Sequence, residues 1–232
     1  AMLTPDKVQI AIPTRGSVYF GTLVRLQAIM AKAPTLPPVM YEAGTLGVDY
    51  VRNQIVKRFL HGSCEALLMV DDDIMPNGDV MQLLDVDADI VAAPYLFYRA
   101  PEMRIPAPCV FRKNAAGRYA ILSDPFSQTG IQPVAAVGTG CMLVHRRVFE
   151  HPDLKPPFTL VCDEDGCLVR TEDVEFCDRA TRAGFTIKAH WDLPCEHVHT
   201  NVGLLSLHRG YEKAYSCART IEDEHRLVQV AS

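Results

Sequence analysis

The feature that most limits what this chain can become is Ala66-Leu-Leu-Met-Val70, five apolar residues followed at once by Asp71-Asp72-Asp73. A short apolar run without polar alternation marks a strand covered on both faces, as in the parallel sheet of an α/β protein. Three carboxylates directly after such a strand fall at its carboxyl end, the edge at which open α/β sheets bind ligands. Crowding like charges there is unfavourable unless something positive is present. A hard divalent cation bridged to a phosphate is the economical partner, because Mg²⁺ and Mn²⁺ favour oxygen ligands. The competing reading is an acidic turn that caps the helix after it. An EF-hand starting at Asp71 is excluded, since its sixth and twelfth positions would be Pro76 and Gln82 instead of Gly and Glu.

The flanking segments agree with that sheet. Val8–Ile12 alternates and breaks at Pro13, which predicts a strand, and Leu23, Leu26, Ile29, Met30 and Ala33 recur at helical spacing. A short strand is expected at Val39–Tyr41, and Val48, Val51, Ile55 and Phe59 mark a second helix carrying Arg52 and Asn53. Asn77 is placed to cap a short helix through Leu84, and Ile90–Phe97 reads as one apolar strand. This alternation implies an α/β fold with a parallel sheet and right-handed crossovers. After Tyr98 the pattern changes to hairpins around Lys113–Gly117 and Asp163–Gly166, a helix from Thr171 to Gly184, a strand over Phe185–Trp191 and a helical tail from Tyr211. Residues 1–98 therefore read as an α/β half, and residues 99–232 as a more irregular half of the same domain.

Composition narrows the function classes. The 232 residues suit one large domain, and the richest apolar window, Pro133–Val144, is too short to span a membrane. With no signal-peptide pattern at the N-terminus, a cytoplasmic location is expected. A net charge of -5 argues against a mainly electrostatic nucleic-acid binder, though Arg99, Arg104, Arg112, Lys113 and Arg118 would allow a local phosphate-binding strip. The eight cysteines lack framework spacing and are expected as reduced thiols.

Four other segments carry chemistry. Thr171-Glu172-Asp173 is either a capped helix start favoured by the helix dipole or a carboxylate facing a cleft as general base. Cys195-Glu-His197-Val-His199 puts two imidazoles on one face of an extended segment; zinc is a weak reading, and a hydrogen-bonded structural histidine is the commoner one. Val137-Gly-Thr-Gly140 is no phosphate loop, which leaves close backbone approach to a ligand or a bulged strand. Asp85-Val-Asp-Ala-Asp89 precedes a strand and reads as a solvated loop.

Taken together, Ile10-Ala-Ile-Pro-Thr-Arg15, Tyr50-Val-Arg-Asn53, Leu68–Pro76, Val137–Arg146, Thr171–Ala180 and Cys195-Glu-His197 resemble a nucleotide-sugar glycosyltransferase of the GT-A fold. The resemblance is to family 2 and its small phage and bacterial members. It implies a Rossmann-like, mostly parallel sheet flanked by helices, with nucleotide-sugar binding in the first half and a smaller, mixed acceptor side in the second. It implies a metal site of Asp71, Asp73 and His197 for Mn²⁺ or Mg²⁺, with Asp71 near the ribose of a UDP-sugar. Pro13, Thr14, Arg15, Arg52 and Asp72 are expected at the nucleotide, Gly138, Thr139 and Gly140 on the sugar and acceptor side, and Asp173, ahead of Glu172, as base. The acceptor would be a glycan, a small molecule or a modified pyrimidine in DNA, and a phage-encoded enzyme would work in the host cytoplasm. A nucleotidyltransferase and a non-catalytic sugar-nucleotide or glycan-binding module are the alternatives. The first is disfavoured because Pro13-Thr-Arg-Gly-Ser17 has a single glycine.

Overall fold

The computed structural model describes residues 3–98, 106–122, 124–199 and 203–207. Arg99, Arg104, Cys217 and the tail from Tyr211 lie outside the described residues. Seven strands form the central sheet: β1 (Val8–Thr14), β2 (Met40–Ala43), β3 (Ala66–Val70), β4 (Ile90–Ala92), β5 (Ile131–Pro133), β6 (Cys141–His145) and β7 (Ile187–His190). Their order is β5-β7-β4-β6-β3-β1-β2. β1 is parallel to β2 and β3, and β4 to β7, while β6 runs antiparallel to both β3 and β4 and β5 antiparallel to β7. Five strands thus share one direction. The sheet is mostly parallel, as expected; β6 is one of the two antiparallel strands and enters through the tight Gly138–Gly140 turn instead of a helical crossover.

Both faces are covered, which explains the unbroken apolar run of β3. Leu67 and Met69 pack in one cluster with Ile55 and Phe59 of helix α2 (Val48–His61) and Phe176 of helix α4 (Glu172–Arg182). Ala66, Leu68 and Val70 face the other way, onto Leu26 and Ile29 of helix α1 (Phe20–Lys32). A short helix α3 (Arg146–Glu150) adds Phe149 to the α2 side. Among the described residues no helix is long and apolar enough to cross a membrane.

Three further expectations are corrected. Ile90–Phe97 is two strands, because Pro94 interrupts it and Leu96–Phe97 pairs with Ala107–Pro108. The helix after the acidic turn is a 3₁₀ segment, Val80–Asp85, with Asp79 at its N-cap; Asn77 instead accepts the Asp79 N–H at 3.0 Å. Asp85 and Asp87 are exposed, but Asp89 is no solvated residue. It accepts from the Thr186 N–H and hydroxyl at 2.8 Å each and from Arg147 Nε at 2.7 Å, tying the entries of β4 and β7 together.

Candidate active site

The carboxyl ends of β1 and β3 and the start of α2 enclose a cleft of about 430 Å³. Of the expected residues, Pro13, Thr14, Arg15, Arg52, Asp71, Asp72, Asp73 and Glu172 line it. Gly44, Leu46, Val48 and Val51 line it too and were not anticipated. Their signal was faint: Val48 and Val51 were read only as the core stripe of α2, whereas they also wall the cleft.

Arg52 is the buried centre of this cleft, only 5% exposed. Its Nη2 donates to both carboxylate oxygens of Asp71 at 2.9 Å, and its Nη1 donates to Glu172 Oε1. Burial alone would lower the guanidinium pKa, but Asp71 and then Glu172 outweigh it and drive it up. Burial also raises the Glu172 carboxyl, against the pull of Arg52. Nε of Arg52 is buried with no partner among the described residues. Asp71, expected among the metal ligands, thus faces Arg52 with both of its carboxylate oxygens.

The other end of the acidic turn meets the C-terminal segment. The strand Glu196–His199 pairs antiparallel with Ile74–Met75, and Val198 N–H donates to the Asp73 carbonyl at 2.9 Å. This register brings His197 Nε2 to 3.3 Å from Asp73 Oδ2, while Nδ1 lies 2.7 Å from the Leu96 carbonyl. A carbonyl only accepts, which assigns the ring proton to Nδ1 and turns the Nε2 lone pair toward a carboxylate unless a cation or second proton lies between. Burial would lower the His197 pKa, but Asp73 overrides it and raises it. His199 stacks edge-on with Tyr98, ring centroids 5.9 Å apart, and lies 6.0 Å from the His197 ring. Between the two ends, the Asp72 carbonyl accepts from Tyr19 N–H at 2.8 Å. Burial raises the Asp72 carboxyl, the Thr14 hydroxyl opposing and its two acidic neighbours reinforcing.

The remaining expected residues sit apart from the cleft lining. Thr171 occupies the N-cap of α4 but makes no capping bond; its hydroxyl donates to Asp173 Oδ1 at 2.5 Å, which also accepts the Val174 N–H at 2.8 Å. Gly138, Thr139 and Gly140 do not line the cleft but are packed behind it, the two glycines against Tyr95 and Gly138 also against Cys109. Tyr95 went unnoticed in the sequence, where it is one more apolar residue after Pro94. Cys195 is wholly buried. Among the described residues no set of three or more His, Cys, Asp or Glu side chains is arranged to hold a metal, so neither a Cys195–His197–His199 cluster nor the triplet Asp71, Asp73 and His197 is assembled. Of the basic strip, Arg112 donates to Gln132 and Lys113 to Asp178.

No protein-family model matches the chain, and no curated protein matches it in sequence. Solved structures do match. A197 from STIV aligns over 86% of this chain and 93% of its own, with a TM-score of 0.57 and 18% identity. GalNAc-T7, crystallised with UDP, GalNAc and Mn²⁺, aligns over 85% of this chain with a TM-score of 0.53 and 9% identity, and this chain spans 44% of it. A looser likeness, with a TM-score of 0.45 and 11% identity, is to the inositol-1-phosphate CTP transferase from T. maritima and decides nothing. At such identities the likeness is one of fold. The chain has a Rossmann-like α/β fold with a mostly parallel central sheet, and its likeness to A197 and to part of GalNAc-T7 is a likeness of that fold.

Proposed function

We propose that the chain is a divalent-cation-dependent glycosyltransferase that moves a sugar from a nucleotide-sugar, a UDP-sugar first among them, to an acceptor hydroxyl. The observation that carries this reading is the meeting of Asp73 and His197 beside the cleft. An imidazole with acceptors at both nitrogens calls for a positive charge at Nε2, supplied by a proton or by a bound cation, and a carboxylate plus an imidazole suits Mn²⁺ or Mg²⁺. Phosphate oxygens and water would supply the other ligands, since Mg²⁺ is commonly held by one or two carboxylates and substrate phosphates. GalNAc-T7, whose structure contains UDP, GalNAc and Mn²⁺, supports the same pairing of fold and ligands. When bound, the cation would act as a Lewis acid on the departing diphosphate.

The protein's own groups divide the remaining work. Residues of 1–98 form the donor side: Thr14 and Arg15 border the nucleotide, and Arg52 holds Asp71 in one orientation for the ribose. Residues of 99–232 supply Asp173 as general base, ahead of Glu172, whose Oε1 is already engaged by Arg52 Nη1. The acceptor class stays as a glycan, small molecule or modified DNA pyrimidine; Arg112 and Lys113, engaged with Gln132 and Asp178, lend DNA little support.

Incubation with a panel of nucleotide-sugars and Mn²⁺ tests the proposal. Slow release of nucleoside diphosphate, abolished by EDTA, is expected. Pyrophosphate release from a nucleoside triphosphate and a sugar phosphate would instead establish a nucleotidyltransferase. Binding with no release in any acceptor mixture would establish a binding module.

A further inference from the structure

Gly138 and Gly140 make room for a side chain. A Cβ on Gly140 would lie 2.6 Å from Tyr95 Cζ, and one on Gly138 would overlap the Tyr95 hydroxyl and the Cys109 sulfur. Tyr95 is buried, 8% exposed. Its hydroxyl accepts the Gly140 N–H at 3.3 Å. The ring meets the His197 imidazole edge-on, centroids 5.6 Å apart and planes at 86°. The next residue, Leu96, provides the carbonyl that holds Nδ1. The same glycine turn accepts the Asp71 backbone N–H on the Gly140 carbonyl at 3.0 Å. One backbone turn is therefore bonded to the acidic turn directly and to the imidazole through Tyr95.

We infer that Tyr95 is a positioning residue for His197, seated in a two-glycine socket that fixes the imidazole plane so that Nε2 faces Asp73. The inference rests on the reading that Asp73 and His197 hold a divalent cation, and it adds the residue that keeps one donor aimed. An imidazole turns about a broad, soft terminal torsion. The Leu96 carbonyl restrains one edge, and the Tyr95 ring blocks rotation about that single hydrogen bond. Outer partners of this kind typically change metal affinity by about 10–100-fold when removed.

The test is Mn²⁺ binding by the full chain, read from the electron paramagnetic resonance signal of free Mn²⁺ without donor sugar. Each variant is measured well below its thermal midpoint. Tyr95→Leu is expected to bind about 10–100-fold more weakly. Tyr95→Phe, which keeps the ring, is expected to recover most of that loss. Gly140→Ala, whose Cβ displaces the ring, is expected to reproduce it, and also serves should Tyr95→Leu fail to fold. The double variant Tyr95→Leu/Gly140→Ala is expected to lose no more than the worse single, because leucine vacates the space the Cβ enters. Wild-type affinity in Tyr95→Leu or Gly140→Ala, or fully additive losses, would overturn the socket while weak binding by His197→Ala still upheld the metal site. Undiminished binding by His197→Ala would overturn the metal reading itself.

Discussion

Arg52 and His197 each meet a carboxylate of the Asp71–Asp73 turn, yet the two contacts are built in opposite ways. The Arg52 side chain is 6% exposed and holds Asp71 and Glu172 together, so it joins the end of β3 to the start of α4. The Asp73 side chain, at the mouth, is 46% exposed and has one imidazole 3.3 Å away. A buried, doubly paired charge is committed to the fold, because removing one partner strands the others in a medium that solvates them poorly. A half-exposed carboxylate keeps lone pairs for an exchangeable partner. The difference separates the ion-paired end of the acidic turn from the end whose carboxylate is open to an exchangeable partner.

The most severe test of that division is Asp73→Ala, expected to abolish metal-dependent nucleoside diphosphate release while the thermal midpoint stays close to wild type. Full activity of the variant in EDTA would erase the distinction. Asp173→Asn extends the test to the acceptor side, with turnover expected to fall about 10²–10⁴-fold and donor affinity, measured by calorimetry, unchanged. Weakened donor binding at normal turnover would move Asp173 to the donor side. At the buried end, Arg52→Met is expected to destabilise the fold by about 3–5 kcal/mol in urea, with Glu172→Gln restoring part of it. A loss typical of a surface substitution would place Arg52 in the same class as Asp73.

Acid titration sharpens the comparison with ion pairs away from the cleft. Burial would raise Asp89 and Asp178, but hydrogen bonds outweigh it and hold both below 3.8: the Thr186 donors for Asp89, then Arg147; Tyr119 and Lys113 for Asp178. A depressed folded pKa means that their stabilisation is whole above the unfolded value, about pH 4, and is lost as pH falls through the folded value. The urea midpoint should therefore drop below about pH 4, and Asp89→Asn should flatten that drop. An unchanged slope would show that Asp89 is not held as its contacts imply. The smallest effect belongs to the exposed Arg112, where Arg112→Ala is expected to change stability by no more than about 0.5 kcal/mol and leave transfer unaltered. Salt-sensitive binding of hydroxymethylated DNA lost in this variant would revive the basic strip.

Much of the architecture was readable from periodicity alone. β1 and α2 lie within a residue or two of where apolar spacing put them, β3 where its unbroken apolar run put it, and α4 within two residues of its Thr171 and Gly184 ends. Strand direction was not readable: the apolar run into Val144 is the same string whether β6 runs with β3 or against it. The break at Pro94 was visible as a residue but outweighed by the apolar letters around it. Within the cleft, the acidic turn was legible because three like charges after a buried strand need an explanation. The engagement of Asp71 by Arg52 was not, since it depends on where a helix residue 19 positions earlier comes to lie.

By itself, the chain's linear pattern determined that a sheet covered on both faces would end in Asp71-Asp72-Asp73, because burial and charge act locally along a strand. Only the tertiary structure decided which of those carboxylates is locked and which is open. That choice depends on Arg52, Glu172 and His197, drawn from three separate segments, and on distances of a few ångströms that no spacing in the sequence encodes.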